Sequence, residues 1–437
     1  MYLELIRKLQ QSSFLRHNAI FFFGSVAVGA LNYAYYPVLG RLMGPAAFGE
    51  VQVLVSLFLQ FTIFLNVLGT ITVNITANYS DKATAHRVIF ELEKLASYIA
   101  AGILLLSIVG GEFLRQQLHF ESMMPFVALA LAILVSIPLT FRSAYARGQK
   151  RFGIASMSQL IGAGIKIIFS AGFVIFGLGV TGAIGGIVVA QLIAFLYAAR
   201  YAARIGFARP ADTSYKTKPD LKVVSPELKY AGIVFAGLLS VTLLMSIDVI
   251  VVKYYFDAHT AGLYAGIATV ARIVFFLVTP IAQVLMPLVK INQSSHKNRQ
   301  LLLKSLGLTV LIGGIVTLAC WLAPHLLIGL LMGHSYDMYA DLLPLLSVTI
   351  LIVSVINLIT MYYLSLRRKM LALIGIIGIV VTISMMLIWH DNLFEIVSSM
   401  FWGSTFTLGV ILVYVLTSLK RGVLDGEQND LNRHSDL

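Results

Sequence analysis

Three ionisable residues sit inside long apolar stretches, where a charge needs a reason. Lys166 falls in Gly162-Ala163-Gly164-Ile165-Lys166, Asp248 in Met245-Ser246-Ile247-Asp248-Val249, and Arg272 follows the run opened by Ala261-Gly262-Leu263-Tyr264. A charge at the centre of a bilayer costs about 2.5–3.5 kcal/mol on insertion scales and usually faces the protein interior or a wet cavity. The chemistry on offer is electrostatic: fixed cations that hold an anion, with a carboxylate tuning them or titrating beside them. Asp248 and Arg272 admit two readings. They are a structural pair on adjacent helices, or Arg272 is presented to an anionic ligand in a central cavity. Lys166 reads as cavity-facing, because snorkelling from mid-depth is expensive. Polar residues in similar stretches are Asn32, Gln60, Asn66, Gln159, Gln191, Gln283 and Asn357. Any one of these is more often a helix–helix hydrogen-bond partner than a ligand contact. The expected substrate-binding set is Arg272, Lys166, Asp248, Asn32 and Gln60.

No catalytic or metal-binding constellation accompanies them, and no cofactor is expected. The single cysteine, Cys320, lies in an apolar run without a partner, which excludes a disulfide framework and a Cys-based metal site. Gly177-Leu178-Gly179-Val180-Thr181-Gly182 matches a dinucleotide fingerprint as a pattern, but it sits in a tight turn between apolar runs with no strand before it. There is no G-x-x-x-x-G-K-[ST], so ATP is not hydrolysed by that route. Asn74-Ile75-Thr76 and Asn78-Tyr79-Ser80 are glycosylation sequons by pattern only.

The elements that position these residues follow from composition. Of 437 residues 58% are hydrophobic and only 12% charged, against about 25% charged in a soluble domain. Mean hydropathy is +0.87. A spanning helix needs roughly 20 apolar residues to cross about 30 Å of hydrocarbon. Alternating period-2 segments, the mark of an outer-membrane barrel, are absent, so helices must satisfy the backbone in lipid. The formal charge of +12 does not point to nucleic acid, because the basic residues sit in short loops and form no stripe. The first apolar run is too long for a signal-peptide core and has no small-residue cleavage site.

The apolar runs place twelve spans at about 18–39, 50–72, 94–112, 122–141, 154–176, 181–203, 228–253, 263–289, 301–322, 341–363, 371–390 and 395–417. With the N-terminus inside, the inner segments hold 27 of the 32 Lys and Arg residues. The outer segments hold Arg41, Arg115 and Lys253, and Lys166 and Arg272 fall within spans. Basic residues favour the cytoplasmic side, so both termini are expected in the cytoplasm. The longest outer connection, about Pro324 to Ala340, has no Lys or Arg. The expected layout is an interfacial segment at 1–17, a six-helix bundle at 18–203, a Pro-containing linker at 204–227, a second six-helix bundle at 228–417, and a cytoplasmic tail at 418–437. Gly24 and Gly49 bracket the first span at a spacing of 25, and Gly237 and Gly262 bracket the seventh at the same spacing. With an even number of spans per half the repeat is parallel. The fold expected is therefore an all-α polytopic membrane protein, two six-helix bundles related by a pseudo-two-fold around a central cavity.

Leu39-Gly40-Arg41-Leu42-Met43-Gly44-Pro45-Ala46-Ala47-Phe48-Gly49 resembles the first outer hairpin of polysaccharide repeat-unit flippases. These belong to the multidrug/oligosaccharidyl-lipid/polysaccharide exporter superfamily. Ser246-Ile247-Asp248-Val249-Ile250 through Thr260-Ala261-Gly262-Leu263-Tyr264 resembles the family's equivalent hairpin in the second half. The resemblance implies alternating access for an oligosaccharide on undecaprenyl pyrophosphate, moved from the inner to the outer leaflet of a bacterial or archaeal cytoplasmic membrane. It implies a cationic cavity to which Arg272 contributes. The partners expected are that substrate, membrane lipids, and the glycan polymerase and glycosyltransferases of the same pathway, around a monomer that is not an enzyme. Glu50 departs from the family pattern. The rivals are a cation-coupled multidrug exporter and a membrane glycan polymerase or ligase. The exporter reading wants an acidic residue deep in the first bundle, where the sequence has only Glu50 and Glu112 near span ends. The enzyme reading wants a large outer loop, which this chain lacks.

Overall fold

The computed structural model describes residues 13–79, 82–207, 225–289 and 295–420, and these are helical with no strand among them. The chain separates into two compact units. The first holds the described residues up to Met43 together with Leu57–Ala231, and the second holds Gly44–Ser56 together with the described residues from Gly232 on. The second unit thus takes in thirteen residues that the apolar pattern assigns to the first bundle.

In the first unit, α1 (Ser13–Met43) packs on α6 (Phe152–Phe173). Helix α2 (Pro45–Asn78) supplies its residues after Ser56, and α3 (Lys82–Val109) and the short α4 (Gly111–Gln117) follow. Arg115 on α4 hydrogen-bonds Glu112 at 2.6 and 2.8 Å, and holds its carboxyl down at about 2. Helix α5 (Met124–Gly148) packs on α3 and on α7 (Gly179–Arg204). Between α6 and α7 the chain turns through Gly177 (φ 84°) and Gly179 (φ 50°), backbone angles that favour glycine. The two helices then run antiparallel and close. Ser170 Oγ donates to the Ala183 carbonyl at 2.7 Å, and a Cβ on Gly186 would lie 2.3 Å from the Ser170 nitrogen. Small residues let helices approach where apolar burial alone cannot drive association.

In the second unit, α8 (Ser225–Tyr255) leads to α9 (Ala258–Ala271), whose start is capped by Asp257 accepting from the His259 and Thr260 nitrogens at 2.9 and 3.1 Å. A hydrogen bond from the Thr260 side chain, together with those backbone bonds, holds the Asp257 carboxyl below its usual range. Helix α10 (Ile273–Leu288) continues from α9 at a bend of 41°. Helices α11 (Ser295–Leu322) and α13 (Leu343–Ser365) flank α10. Helices α14 (Met370–Ile388) and α15 (Leu393–Lys420) pair antiparallel through Gly378 against Thr407 and Gly403 against Thr382. The core gathers Val241, Leu244, Val353, Ile356, Ile359 and Ile411.

Among the described residues, nine helices are long and apolar enough to cross a membrane. One of them, Phe152–Arg204, is the α6–α7 hairpin and crosses twice. The bent α9–α10 pair passes the same test when taken together, and α1 is a further helix of 31 residues, an arrangement consistent with twelve crossings. The protein is a multi-pass α-helical membrane protein. The connection at Pro324 to Ala340 is more ordered than a loop. It forms α12 (Pro324–Leu331) and a 3-10 turn over His334–Leu342. Proline pre-sets the helical φ at the first position, and Gly333 (φ 100°) ends the helix. Tyr336 then enters the unit, 1% exposed, with its ring edge-on to Phe48 at 6.0 Å.

The two glycines that share the repeat spacing meet here. A Cβ on Gly49 would lie 2.9 Å from the Gly262 Cα, and one on Gly262 would lie 1.9 Å from the Pro45 carbonyl oxygen. This backbone-to-backbone contact, with Phe48 fully buried beside it, seats Gly44–Ser56 in the second unit.

Candidate functional site

The five residues expected to bind substrate fall into two pairs and a single. Lys166 on α6 and Asn32 on α1 meet in the first unit: the Lys166 Nζ donates to Asn32 Oδ1 at 2.7 Å. The same ammonium stands 4.4 Å from the ring centroid of Tyr35, one helical turn beyond Asn32. Tyr35 is 1% exposed, and its hydroxyl donates to the Ala183 carbonyl at 3.3 Å, tying the platform to α7. An ammonium over an aromatic face gains roughly 0.5–2 kcal/mol, depending on desolvation. Both partners of Lys166 are neutral, and no carboxylate among the described residues pairs with it. One of its three N–H donors serves Asn32, so charge and hydrogen-bonding capacity remain for an anion.

Arg272 and Asp248 meet in the second unit. The Arg272 Nη2 donates to Asp248 Oδ1 at 2.7 Å, its Nε donates to the Met245 carbonyl at 3.0 Å, and the Tyr264 hydroxyl donates to Asp248 Oδ2 at 2.8 Å. Arg272 is 5% exposed and Asp248 1%. Arg272 also marks the 41° bend between α9 and α10. The side chain ties that bend to α8, which is the geometry of the structural reading of the pair.

Gln60 stands apart. Its amide nitrogen is buried without an acceptor, and no hydrogen bond joins it to Lys166 or Asn32.

Sequence reasoning missed several polar contacts. Lys253, assigned to an outer segment by its place at a span end, is fully buried in the last turns of α8, with its Nζ 3.9 Å from Glu50 Oε1. Glu50 is 3% exposed, so the departure from the family pattern at this position supplies a buried counter-charge. Gln52 hydrogen-bonds Thr269 two residues further along α2. Tyr35 was legible in principle, since it shares a helix face with Asn32 at i,i+3. The contacts of Glu50 and Gln52 depend on Gly44–Ser56 joining the second unit, which no local signal announces.

The sequence over residues 15–293 matches a family described as polysaccharide biosynthesis protein. No curated protein matches the chain by sequence. Among solved structures, the fold is similar to an inward-facing multidrug resistance MATE family transporter of the MOP superfamily. That match has a TM-score of 0.71 at 13% identity and covers 92% of this chain and 96% of the other. The lipid II flippase MurJ in an inward closed conformation matches with a TM-score of 0.69 at 14% identity, covering 92% of this chain and 87% of the other. A Vibrio cholerae MATE transporter, VcmN, in its bent form matches with a TM-score of 0.61 at 13% identity, covering 94% and 97%.

Proposed function

This chain belongs to the polysaccharide biosynthesis protein family, and from that premise we propose that it is a flippase for a lipid-linked oligosaccharide. In this reading the substrate is a glycan on undecaprenyl pyrophosphate, moved from the inner to the outer leaflet of a bacterial or archaeal cytoplasmic membrane by alternating access. The observation that carries it is Lys166, a cation at the depth of a span whose partners Asn32 and Tyr35 are both neutral. Carrying a pyrophosphate through hydrocarbon unaided is prohibitive, and a fixed ammonium in a polar setting offsets that cost. Asn32 aims the ammonium and the Tyr35 ring covers one side of it. Arg272 and Asp248 serve by holding the bend in the second unit. The chain works as a monomer alongside the polymerase and glycosyltransferases of its pathway and makes or breaks no covalent bond itself.

The test is transport in reconstituted vesicles loaded with an undecaprenyl-pyrophosphate oligosaccharide. Lys166→Met should abolish transport while leaving the melting temperature near wild type, and Lys166→Arg should retain part of it. Wild-type transport by Lys166→Met would overturn the assignment. The MATE likeness supports a second reading, an exporter of soluble compounds. Transport of a cationic drug, with none of the glycolipid, would favour it.

The orientation has its own test. Cysteine probes at Ser214 and Ser294, both outside the described residues, should label only from the cytoplasm, and one at Ser335 only from outside. The native Cys320 is buried, so background labelling should be low. Labelling of Ser214 from outside intact cells would reverse the topology.

A further inference from the structure

Arg147 is a half-buried cation that the reading above does not use. It lies in the last turn of α5, at the end that the distribution of basic residues assigns to the cytoplasm. There α5 presses on α2: a Cβ on Gly148 would lie 2.6 Å from the Thr76 Cβ. The guanidinium rests in the seam between the two helices. A Cβ on Gly69 would lie 3.4 Å from Arg147 Nη2 and 3.3 Å from Thr140 Cγ2, so the guanidinium lies against the Gly69 backbone. The Arg147 Nε is fully occluded without an acceptor. No described residue accepts a hydrogen bond from its guanidinium or stands as its counter-ion.

The contrast with Arg142, five residues earlier on the same helix, is sharp. Arg142 bonds Glu93 at 2.6 Å and stacks on Phe207 at 4.5 Å. A guanidinium carries five N–H donors and cannot shed its charge. Holding one in a seam lined by Gly69, Thr140 and Ala144 is costly unless something anionic completes it. Its planar fork suits the paired oxygens of a phosphate. Lys166 lies fourteen residues into α6, roughly 21 Å along that helix, and is a second cation of the same unit whose described partners, Asn32 and Tyr35, are neutral.

We propose that Arg147 binds a phosphate of the lipid-linked substrate at the cytoplasmic end of the first unit, ahead of Lys166. This rests on the flippase reading. The phosphate of a bulk phospholipid offers the same chemistry, so the test must separate the two.

The measurement is binding of farnesyl pyrophosphate to purified protein in nanodiscs of phosphatidylcholine and, separately, of phosphatidylglycerol. Arg147→Ala and Arg147→Gln should weaken binding about tenfold or more in both lipids, the loss expected for charge-assisted hydrogen bonds. Arg147→Lys should recover part of the affinity, because it restores charge without the fork. Melting temperatures read alongside show whether each variant is folded. If the neutral variants do not fold, Arg147→Lys carries the test with a several-fold loss. Wild-type binding with unchanged affinity in the folded variants would overturn the inference alone. Unchanged affinity combined with lost thermal stabilisation by phosphatidylglycerol would assign Arg147 to a bulk headgroup, and would also overturn it. A wild-type protein that binds no farnesyl pyrophosphate would overturn the flippase reading and this inference with it.

Discussion

Removing either member of the Asp248–Arg272 pair alone should sharply lower the yield of folded protein, by the equivalent of about 3–5 kcal/mol. Each single change leaves a buried charge without its ionic partner. Arg272→Ala strands a carboxylate that keeps only the Tyr264 hydroxyl at 2.8 Å. Asp248→Asn leaves the guanidinium with the Met245 carbonyl at 3.0 Å and a neutral amide in place of its counter-ion. The double change Asp248→Asn with Arg272→Gln removes both charges together and keeps polar groups on both sides, so folding should return. Transport in the double variant then separates the two roles. Transport at near wild-type rate makes the pair structural, as its burial and its place at the bend argue. A double variant that folds normally but does not transport would assign Arg272 a direct role with substrate. Normal folding and melting of Arg272→Ala by itself would sink the structural account. Membrane-inserted yield and thermal melting are the readouts for every variant.

Gly262→Ala should be the most damaging added methyl among the described glycines. The added Cβ would meet the Pro45 carbonyl oxygen at 1.9 Å, the Pro45 carbonyl carbon at 2.2 Å and the Ala46 nitrogen at 2.8 Å. All three obstacles are backbone, so no rotamer change relieves them. Overpacking of this kind costs about 1–3 kcal/mol and sometimes more; an unyielding backbone places this case at the top of that range. The relief available is a shift of Gly44–Ser56 away from α9, which would also disturb Phe48, Glu50 and Gln52. A matched control exists on α11. Gly307 has open space where a Cβ would go, so Gly307→Ala should be neutral or gain up to about 1 kcal/mol from helix propensity. Thermal melting of the two purified variants against wild type decides the matter. Equal melting of Gly262→Ala and wild type would mean that the close approach does not hold the native state together.

The amino-acid sequence by itself determined which segments are long and apolar enough to cross a membrane. Whether a segment enters lipid depends on the transfer free energy of about twenty consecutive residues, a local quantity that a run such as 341–363 displays without reference to any neighbour. The asymmetry of basic residues is local in the same way, and the orientation expected from it rests on composition. Equal spacing drew attention to Gly49 and Gly262 but could not say that they touch. Tertiary structure alone decided that, because the contact joins residues more than two hundred positions apart and places part of α2 in the second unit. It also decided the fate of the charges. Lys253 reads as a loop residue because it sits at a span end, yet it is fully buried, and the segment Gly44–Ser56 brings Glu50 beside it. Asp248 and Arg272 stood on two successive apolar runs, and only the packing of α8 against the α9–α10 bend turned that into a hydrogen-bonded pair. Lys166 was singled out by depth, whereas its neutral setting of Asn32 and Tyr35 came from the packing of α1 on α6. Arg147 carried no sequence signal, since it lay among other basic residues of an inner segment. That no described residue pairs with it is visible only once Arg142 is seen to hold Glu93, because a charge is paired or unpaired by what other helices bring to it.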